Sequence, residues 1–346
     1  MTTFISITLA LLTFPPEKSQ WSAAPTVIVV VGAKGTGQYG KAFSQWAERW
    51  ESAAKAGDAR LLRIGAGSEK TDIPDREQLK AVLEKQPKNS DNELWIVLIG
   101  HGTFDGRDAR FNLRGPDVSA GELANWLTPF TRPVALINCA SSSGLFINRL
   151  SAKGRVIVTA TKSGHEQNYA RFGDYLSQAI ADPKADLDKD DQTSLLEAWL
   201  TASRKTEEFY RTEARLATEH ALLDDNGDQL GTRADFFQGI RPVKKASEGG
   251  AVDGYRAHQF HLVRSETERN MPSDLRRKRD ELELEVIKLR ELKAEFTEDE
   301  YYQKLETVLL QLATLYEEAE SSVKQTAEKE PPAGATAGLP SSASSR

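Results

Sequence analysis

Apolar runs alternate with amphipathic stretches along residues 26–180. Short, mostly apolar runs occur as VIVVV at 27–31, LLRI at 61–64, LWIVLI at 94–99, VALI at 134–137 and VIVT at 156–159. Stretches with apolar residues at helical spacing lie between them, at 43–56, 76–84 and 120–127. Strands that are apolar along their whole length are typical of a sheet covered on both faces. The pattern therefore predicts an α/β fold, a mostly parallel sheet sandwiched by helices.

Beyond residue 270 the pattern changes to that of a helical hairpin. Apolar residues recur at helical spacing in two groups: Leu282, Val286, Leu289 and Leu292, then Leu305, Leu309, Leu312 and Leu315. Between the groups, Thr297 and Glu300 have the spacing of a capping box. We predict a hairpin over 270–328 that packs on a partner helix, either its own or that of another protein. The tail 329–346 is rich in Pro, Gly and Ser and is predicted to be disordered.

These patterns divide the rest of the chain into an N-terminal segment and one large domain. Residues 25–265 are predicted to form the α/β domain, including a helical region with acidic loops over 182–240. Residues 1–24 hold an apolar run at 4–14 followed by small residues, which predicts a signal peptide and a periplasmic or secreted protein. No Lys or Arg precedes that run, so a cytoplasmic protein with a buried N-terminal segment stays the alternative. The run is too short for a transmembrane segment.

Composition excludes several classes of function. The 346 residues carry a net charge of −6, which gives no electrostatic argument for binding to nucleic acid, and no basic amphipathic stretch indicates binding to an anionic membrane. The chain has one cysteine, so it forms no internal disulfide and no thiolate metal cage. A lone cysteine is ordinarily a small buried side chain, and only its surroundings in the sequence indicate more.

Two of the apolar runs end in reactive residues. LWIVLI runs into Gly100, His101 and Gly102, and VALI runs into Asn138 and Cys139. Ligand sites form at the carboxyl ends of parallel strands, so this His and this Cys are expected to face one crevice. An imidazole there would activate a thiol, and the N–H groups of Gly102 and Cys139 would stabilise an oxyanion. The chemistry requires no cofactor, and its substrate would be a peptide or a protein.

The order of an apolar block, His-Gly, a spacer, a second apolar block and Cys resembles the clan of caspases, gingipains and legumains. The stretch VIVTATKSGHEQNYA at 156–170 is most similar to the legumain-like asparaginyl endopeptidases. The resemblance implies a caspase-like fold and a cysteine endopeptidase or transpeptidase. It further implies that His101 protonates the leaving amine, without necessarily bonding the resting thiol of Cys139. Glu166, three residues before a Tyr-Ala pair, would bind the substrate side chain.

This sequence departs from the legumain pattern at two places. The Arg that legumains carry in the first loop falls at Gly40, so Lys41 beside it is the candidate for substrate binding. The residues after Cys139 are Ala140 and Ser141 rather than an acidic residue. These departures leave the preferred substrate residue open. The loss of that Arg favours the alternative function, a catalytically silent caspase-like scaffold that binds calcium or proteins, whereas the retention of His101 and Cys139 argues against it.

Two acidic loops have the spacing of calcium ligands. The first offers Asp186, Asp188, Asp190 and Glu197, and the second offers Asp224, Asn226 and Asp228. Oxygen atoms at alternate positions can surround a hard cation, whereas solvated acidic loops without a cation are the alternative reading. A third signal, 35–42, nearly matches a phosphate-binding loop but has Ala42 where that loop needs Ser or Thr. We therefore expect calcium as the candidate metal and no nucleotide.

Overall fold

The computed structural model describes residues 24–65, 72–248 and 250–329. The predicted signal peptide at 1–24 and the predicted disordered tail at 329–346 lie outside the described residues, apart from Ala24 and Lys329. No helix within the described ranges combines the length and the apolar character that a membrane span requires.

The elements that the apolar pattern predicted follow one another along the chain, with further short elements between and after them. The strands are β1 Thr26–Val31, β2 Arg60–Gly65, β3 Leu94–Ile99, β4 Gly102–Phe104, β5 Ala109–Phe111, β6 Val118–Ser119, β7 Val134–Asn138, β8 Arg155–Thr159, β9 Leu222–Asp224, β10 Phe237–Gln238 and β11 Arg241–Pro242. The helices are α1 Gly37–Ala56, α2 Asp75–Lys85, α3 Ala120–Leu127, α4 Leu145–Leu150, α5 Phe172–Ala179, α6 Leu195–Thr212, α7 Tyr255–His258, α8 Glu266–Asn270, α9 Ser273–Glu291 and α10 Glu298–Lys329.

The central sheet has the strand order β2-β1-β3-β7-β8-β9. Its neighbours pair in parallel except for β9, which runs antiparallel to β8. Leu98 of β3 lies opposite Asn138 of β7, so these two strands end side by side at one edge of the sheet. The mostly parallel α/β fold predicted from the sequence is confirmed.

Both faces of the sheet are buried because helices cover each of them. One layer contains α1, α5 and α6, and it includes the fully buried rings of Trp46, Trp50 and Trp199. The opposite layer contains α2, α3 and α4, with Leu79 and Leu123 against the sheet. Burial on both sides removes the apolar strands from water entirely, which is why they read as continuous runs rather than alternating ones.

The structure differs from the sequence interpretation in two segments. A small antiparallel sheet, β4-β5-β6, follows directly after β3 and was not predicted. The region 182–240 is less helical than expected, because α6 is its only long helix among the described residues and β9 adds an edge strand to the sheet. The loops on either side of α6 carry the acidic residues.

The C-terminal hairpin predicted from the leucine spacing is present. Helices α9 and α10 bury Leu275, Leu315 and Ala319 between them. The expected capping box begins α10, where the N–H of Glu300 donates to the Thr297 hydroxyl at 3.4 Å and the N–H of Thr297 donates to the Glu300 carboxylate at 3.1 Å. Arg277 of α9 pairs with Asp91 at 2.6 Å, which ties the hairpin to the α/β domain. A partner protein at this hairpin stays a prediction.

Candidate active site

His101 lies just beyond the end of β3, between aromatic rings. Its ring centre is 5.0 Å from that of Tyr39 and 5.1 Å from that of Phe43, both on α1. Gly35 approaches the ring so closely that a Cβ there would lie 3.2 Å from Nε2. The ring is half-buried, and this burial lowers its pKa from the ordinary value of 6.5. The imidazole is therefore neutral at pH 7.

Cys139 follows β7 directly and is sealed inside the same layer. Its side chain is 1% exposed and shares a face of the sheet with Ile137, two residues earlier. Gly173 of α5 packs onto it, since a Cβ at Gly173 would lie 2.6 Å from the Cβ of Cys139 and 2.7 Å from the Trp46 ring. Burial raises the pKa of the thiol to about 12. In this conformation the thiol is protonated and out of reach of a substrate.

The structure places His101 and Cys139 at neighbouring strand ends and on one face of the sheet. Phe43, which contacts His101, also contacts Trp46 with ring centres 5.4 Å apart, and Trp46 packs beside Cys139. Among the described residues, no hydrogen bond joins the imidazole to the thiol. The two groups thus share an aromatic wall without forming a pair.

Neither predicted oxyanion donor is free in this conformation. The N–H of Cys139 donates to the carbonyl of Leu98 at 2.9 Å, which continues the pairing of β3 with β7. This bond contradicts the expectation that the N–H of Cys139 points at a substrate. The N–H of Gly102 donates to the hydroxyl oxygen of Ser141 at 3.3 Å. An oxygen atom therefore already lies where the Gly102 donor points.

The loop after Cys139 is held tightly against the sheet edge. Ser141 donates its hydroxyl to the carbonyl of Gly102 at 3.2 Å, in addition to accepting from the N–H of Gly102. The N–H of Ser142, which has a left-handed φ of 55°, donates to the carbonyl of Glu166 at 2.8 Å. Ser143 and Thr161 exchange bonds through both hydroxyls and both N–H groups. A conformational change in the loop after Cys139 would therefore have to break several of these hydrogen bonds at once.

The two predicted substrate-binding residues are placed differently from the expectation. Glu166 accepts from the N–H of Lys162 at 2.9 Å, and its other oxygen lies 2.5 Å from Nδ1 of His220. The Glu166 carboxylate therefore already has hydrogen-bond partners within the protein. One of them, His220, is distant in the sequence. Lys41 is exposed on α1. The structure does not bring Lys41 and Glu166 together.

A cleft of about 500 Å³ opens beside the rings that flank His101. Tyr39 and Tyr169 stack at 4.7 Å and form one side of it, and Arg171 stacks on Phe209 at 4.2 Å. Its other lining residues include Tyr210 and Arg215, and none of the described residues that line it is acidic. The sequence interpretation missed Tyr39 and Arg171, although Tyr169 lies in the quoted legumain-like stretch. No local signal identifies them, because their proximity depends on how α1 meets the segment before α5.

The first acidic loop gathers its carboxylates. Oxygen atoms of Asp186, Asp188 and Asp190 lie within 4.8 Å of one another, as do ligand atoms of Asp188, Glu197 and His258. Glu197 is fully buried and accepts from the N–H of Leu187 at 2.6 Å and from that of Ser194 at 2.8 Å, so it also caps α6. Calcium at this loop stays a prediction.

The second acidic loop follows β9. The N–H of Gly227 donates to Asp224 Oδ1 at 3.1 Å, and the N–H of Asp228 donates to Asn226 Oδ1 at 2.8 Å. Asp235, at the position where a calcium loop has its last ligand, instead pairs with Arg233 at 2.9 Å. The second loop therefore presents three candidate ligand side chains, whereas the first loop presents four.

Comparison with known proteins gives similarity of fold. No protein-family model and no curated protein matches the chain. Among solved structures, it is similar to the Drosophila initiator caspase Dronc, with 14% identity and a TM-score of 0.40 over 60% of this chain and 81% of that one. It is also similar to caspase-1 from Spodoptera frugiperda, with 9% identity and a TM-score of 0.36 over 58% of this chain and 86% of that one.

A third similar structure is Chaetomium thermophilum Raptor, with 10% identity and a TM-score of 0.30 over 49% of this chain and 19% of Raptor. At such identities the likeness concerns the course of the chain and says nothing about activity. The nearer likeness to legumains stays a prediction.

Proposed function

We propose that this chain is a cysteine-type peptide hydrolase whose nucleophile, Cys139, is closed off in the conformation described above. The observation that carries this proposal is the register of the sheet, in which Leu98 and Asn138 lie opposite each other. It brings His101 and Cys139 to neighbouring strand ends and onto one face. A histidine and a cysteine in this arrangement suit a reaction in which a base and a thiol act together.

The reaction would proceed by thiolate attack. The Sγ atom of Cys139 would bond to the carbonyl carbon of the scissile peptide, and the carbonyl oxygen would gain negative charge. The N–H of Gly102 would stabilise that charge once Ser141 releases it. The neutral His101 would take the proton of the Cys139 thiol as the sulfur attacks, and it would give that proton to the leaving amine as the C–N bond breaks. Water would then hydrolyse the thioester, which releases the carboxylic acid and restores the thiol.

The proposal requires an opening step before catalysis. A thiol whose pKa is about 12 supplies almost no thiolate at pH 7, and no substrate reaches a side chain that is 1% exposed. Parting α5 from α1 would hydrate Cys139 and lower its pKa toward the usual range. The stacked rings of Tyr39 and Tyr169 lie between the cleft and the contact of α1 with α5, and they would have to separate as well.

The proposal also concerns the substrate side chain that the enzyme would recognise next to the scissile bond. The legumain resemblance favours Asn, but Glu166 is engaged by His220. Arg171 and Arg215 in the neighbouring cleft favour an acidic side chain on electrostatic grounds. If the N-terminal run acts as a signal peptide, the reaction takes place outside the cytoplasm.

The second candidate function is a catalytically silent scaffold with a caspase-like fold. The sealing of Cys139 favours it, because a buried thiol with its N–H in the sheet ladder is ordinary core structure. In that case the exposed leucines of α10, Leu309 and Leu310, would contact a protein partner.

Labelling with peptidyl electrophiles distinguishes the two functions. The full chain is treated with probes that carry Asn, Asp or Lys next to the electrophile, and adducts are located by mass spectrometry. A hydrolase gives an adduct that is lost in Cys139→Ala and at least about tenfold slower in His101→Ala. His165→Ala, which changes a histidine outside the site, serves as the matched control. If no probe gives an adduct on Cys139, the hydrolase is disproved and the scaffold stands.

A further inference from the structure

Helix α10 carries two rows of apolar side chains along its length. Tyr301, Val308 and Leu315 form the first row, seven residues apart, and each is 5% exposed. Leu315 packs with Leu275 of α9, so the first row belongs to the inside of the hairpin. Residues that are seven apart lie on one face of a helix, and such rows are the surfaces through which packed helices meet.

Tyr302, Leu309 and Tyr316 form a second row at the same spacing, and this row is exposed to solvent. These residues are 51%, 46% and 44% exposed. Leu305 and Leu312, which are partly buried, lie between them in the sequence. The five residues follow one another at intervals of three and four, which is the spacing of a coiled-coil seam. We call these five residues the outer seam.

A regular seam in solvent differs from a scattered exposed leucine. Single apolar residues at a surface need no explanation, whereas a contiguous row of them marks a contact with another molecule. About half of the surface of Tyr302, Leu309 and Tyr316 is in water within the described part of the chain. The outer seam can therefore accommodate a further helix beside α10.

The charges of α10 determine what kind of helix fits the outer seam. Residues 298–321 hold one cation, Lys304, and seven acidic residues, namely Glu298, Asp299, Glu300, Glu306, Glu317, Glu318 and Glu320. Asp299 and Glu306 occupy the heptad position that borders the seam, where charges select the partner helix. On the α9 side, Glu283 accepts from the Tyr316 hydroxyl at 3.4 Å. The outer seam thus has carboxylates at both of its borders.

The cations of the hairpin that lie nearest to these carboxylates have other contacts. Lys304 lines a groove whose described walls include none of the five residues of the outer seam. Lys293 lies over the ring of Tyr302, 5.8 Å from its centre. Arg279 of α9 pairs with Glu268. The border of the outer seam therefore keeps a negative charge.

We propose that the outer seam binds an amphipathic helix of another protein, one that carries Lys or Arg beside its apolar face. A second copy of this chain would present the same acidic border, so like charges oppose its pairing there. An anionic membrane would be repelled for the same reason. The inference gives a defined chemistry to the partner contact proposed at Leu309 for the scaffold function, on which it rests, and it does not depend on the reaction proposed for Cys139.

The test measures the binding of two synthetic peptides to the full chain by fluorescence anisotropy. The first is a labelled peptide of about four heptads with Leu at the seam positions and Lys at the bordering positions. The second has Glu in place of each Lys. At about 0.05 M salt we expect the Lys peptide to bind at least about tenfold more tightly than the Glu peptide, and at about 0.5 M salt this ratio should fall because the charges are screened.

Variants of α10 locate the contact. Leu309→Glu should weaken binding of the Lys peptide at least about tenfold, because it puts a charge into the apolar row. Gln311→Glu is the matched control, since Gln311 lines the groove away from the outer seam, and it should change binding by less than about twofold. Glu306→Lys together with Ala313→Lys, at the same heptad position, should make the Glu peptide the tighter binder.

Circular dichroism checks that each variant is folded, and Tyr302→Ala replaces Leu309→Glu should the latter fail to fold. The proposal is overturned if the Lys peptide binds no more tightly than the Glu peptide, or if Leu309→Glu and Gln311→Glu have equal effects. It is also overturned if sedimentation shows a dimer that Leu309→Glu dissociates, because a second copy would then cover the seam. None of these outcomes changes the adduct on Cys139, so the hydrolase is tested separately.

Discussion

The ends of β3 and β7 lie side by side, yet they are built for different degrees of exposure. After β3 come Gly100 and His101, and the imidazole is half-buried against the rings of Tyr39 and Phe43. After β7 comes Cys139, which lies under α1 and α5 and is 1% exposed. Adjacent strand ends therefore do not guarantee an assembled pair, because the direction of each side chain and its covering helices decide whether two groups meet.

The difference follows from the length of chain beyond each strand. Cys139 is still bonded to β3 through its N–H, so it keeps the alternation of β7 and points into the helical layer. His101 lies two residues past Ile99, where the chain turns away into β4. The histidine gains access to solvent, whereas the cysteine stays part of the core.

The largest expected effect concerns the reactivity of the thiol. Because the Cys139 side chain is buried and its pKa is raised to about 12, alkylation by iodoacetamide at pH 8 should be at least about a hundredfold slower in the native chain than in urea. The rate is measured by mass spectrometry, and the lone cysteine makes its assignment unambiguous. If the native chain were alkylated as fast as the chain in urea, Cys139 would not be shielded, and the difference in exposure between the two strand ends would be disproved.

A smaller effect is expected from crowding the cover of Cys139. Gly173→Ala places a methyl group 2.6 Å from the Cβ of Cys139, so we expect a loss of about 1–3 kcal/mol in the free energy of unfolding. Gly121→Ala is the matched control, since a Cβ in α3 at that position meets nothing within 4 Å and should stabilise by about 0.5–1 kcal/mol. Urea unfolding measures both. Equal stability of the two variants would show that α5 does not press on the thiol.

The smallest expected effect is at His101. Burial lowers the pKa of His101 below 6.5 in the folded chain, so the unfolded chain binds the proton more readily. The stability that comes from keeping the ring neutral is therefore complete above pH 6.5, and it is lost as the pH falls. Tyr169→Ala removes one ring of the cover and should raise the pKa toward 6.5, whereas Tyr169→Phe keeps the ring and should leave it lowered. Proton NMR of the imidazole, assigned with His101→Gln, checks this. An unchanged pKa in Tyr169→Ala would mean that Tyr169 does not shield the ring.

Much of the fold could be predicted because apolar runs determine buried strands. The runs at 27–31, 94–99, 134–137 and 156–159 all became central strands of the sheet. The small sheet β4-β5-β6 was missed because its strands have three residues or fewer, which is below what periodicity can indicate. Asp105 and Gly106 between β4 and β5, and Gly115 and Pro116 between β5 and β6, are turn signals that would have revealed it.

The candidate site was predictable only in part. The positions of His101 and Cys139 after apolar runs predicted that both residues follow neighbouring strands, and β3 and β7 do end side by side. The alternation of Ala135, Ile137 and Cys139 also contained the sign that the thiol shares the buried face. The engagement of Glu166 by His220 could not be foreseen, because these residues are 54 positions apart and meet only through the fold.

The two margins of the central sheet bear on how the protein behaves at high concentration. An unpaired strand edge is a template on which another chain can add a strand and start aggregation. At one margin β9 has only three residues, which offers too short a template. At the other margin β2 carries Arg60 and Arg63, and charged side chains on an edge strand disfavour the addition of another strand. The sheet thus protects itself against edge-to-edge association by shortness on one side and by charge on the other.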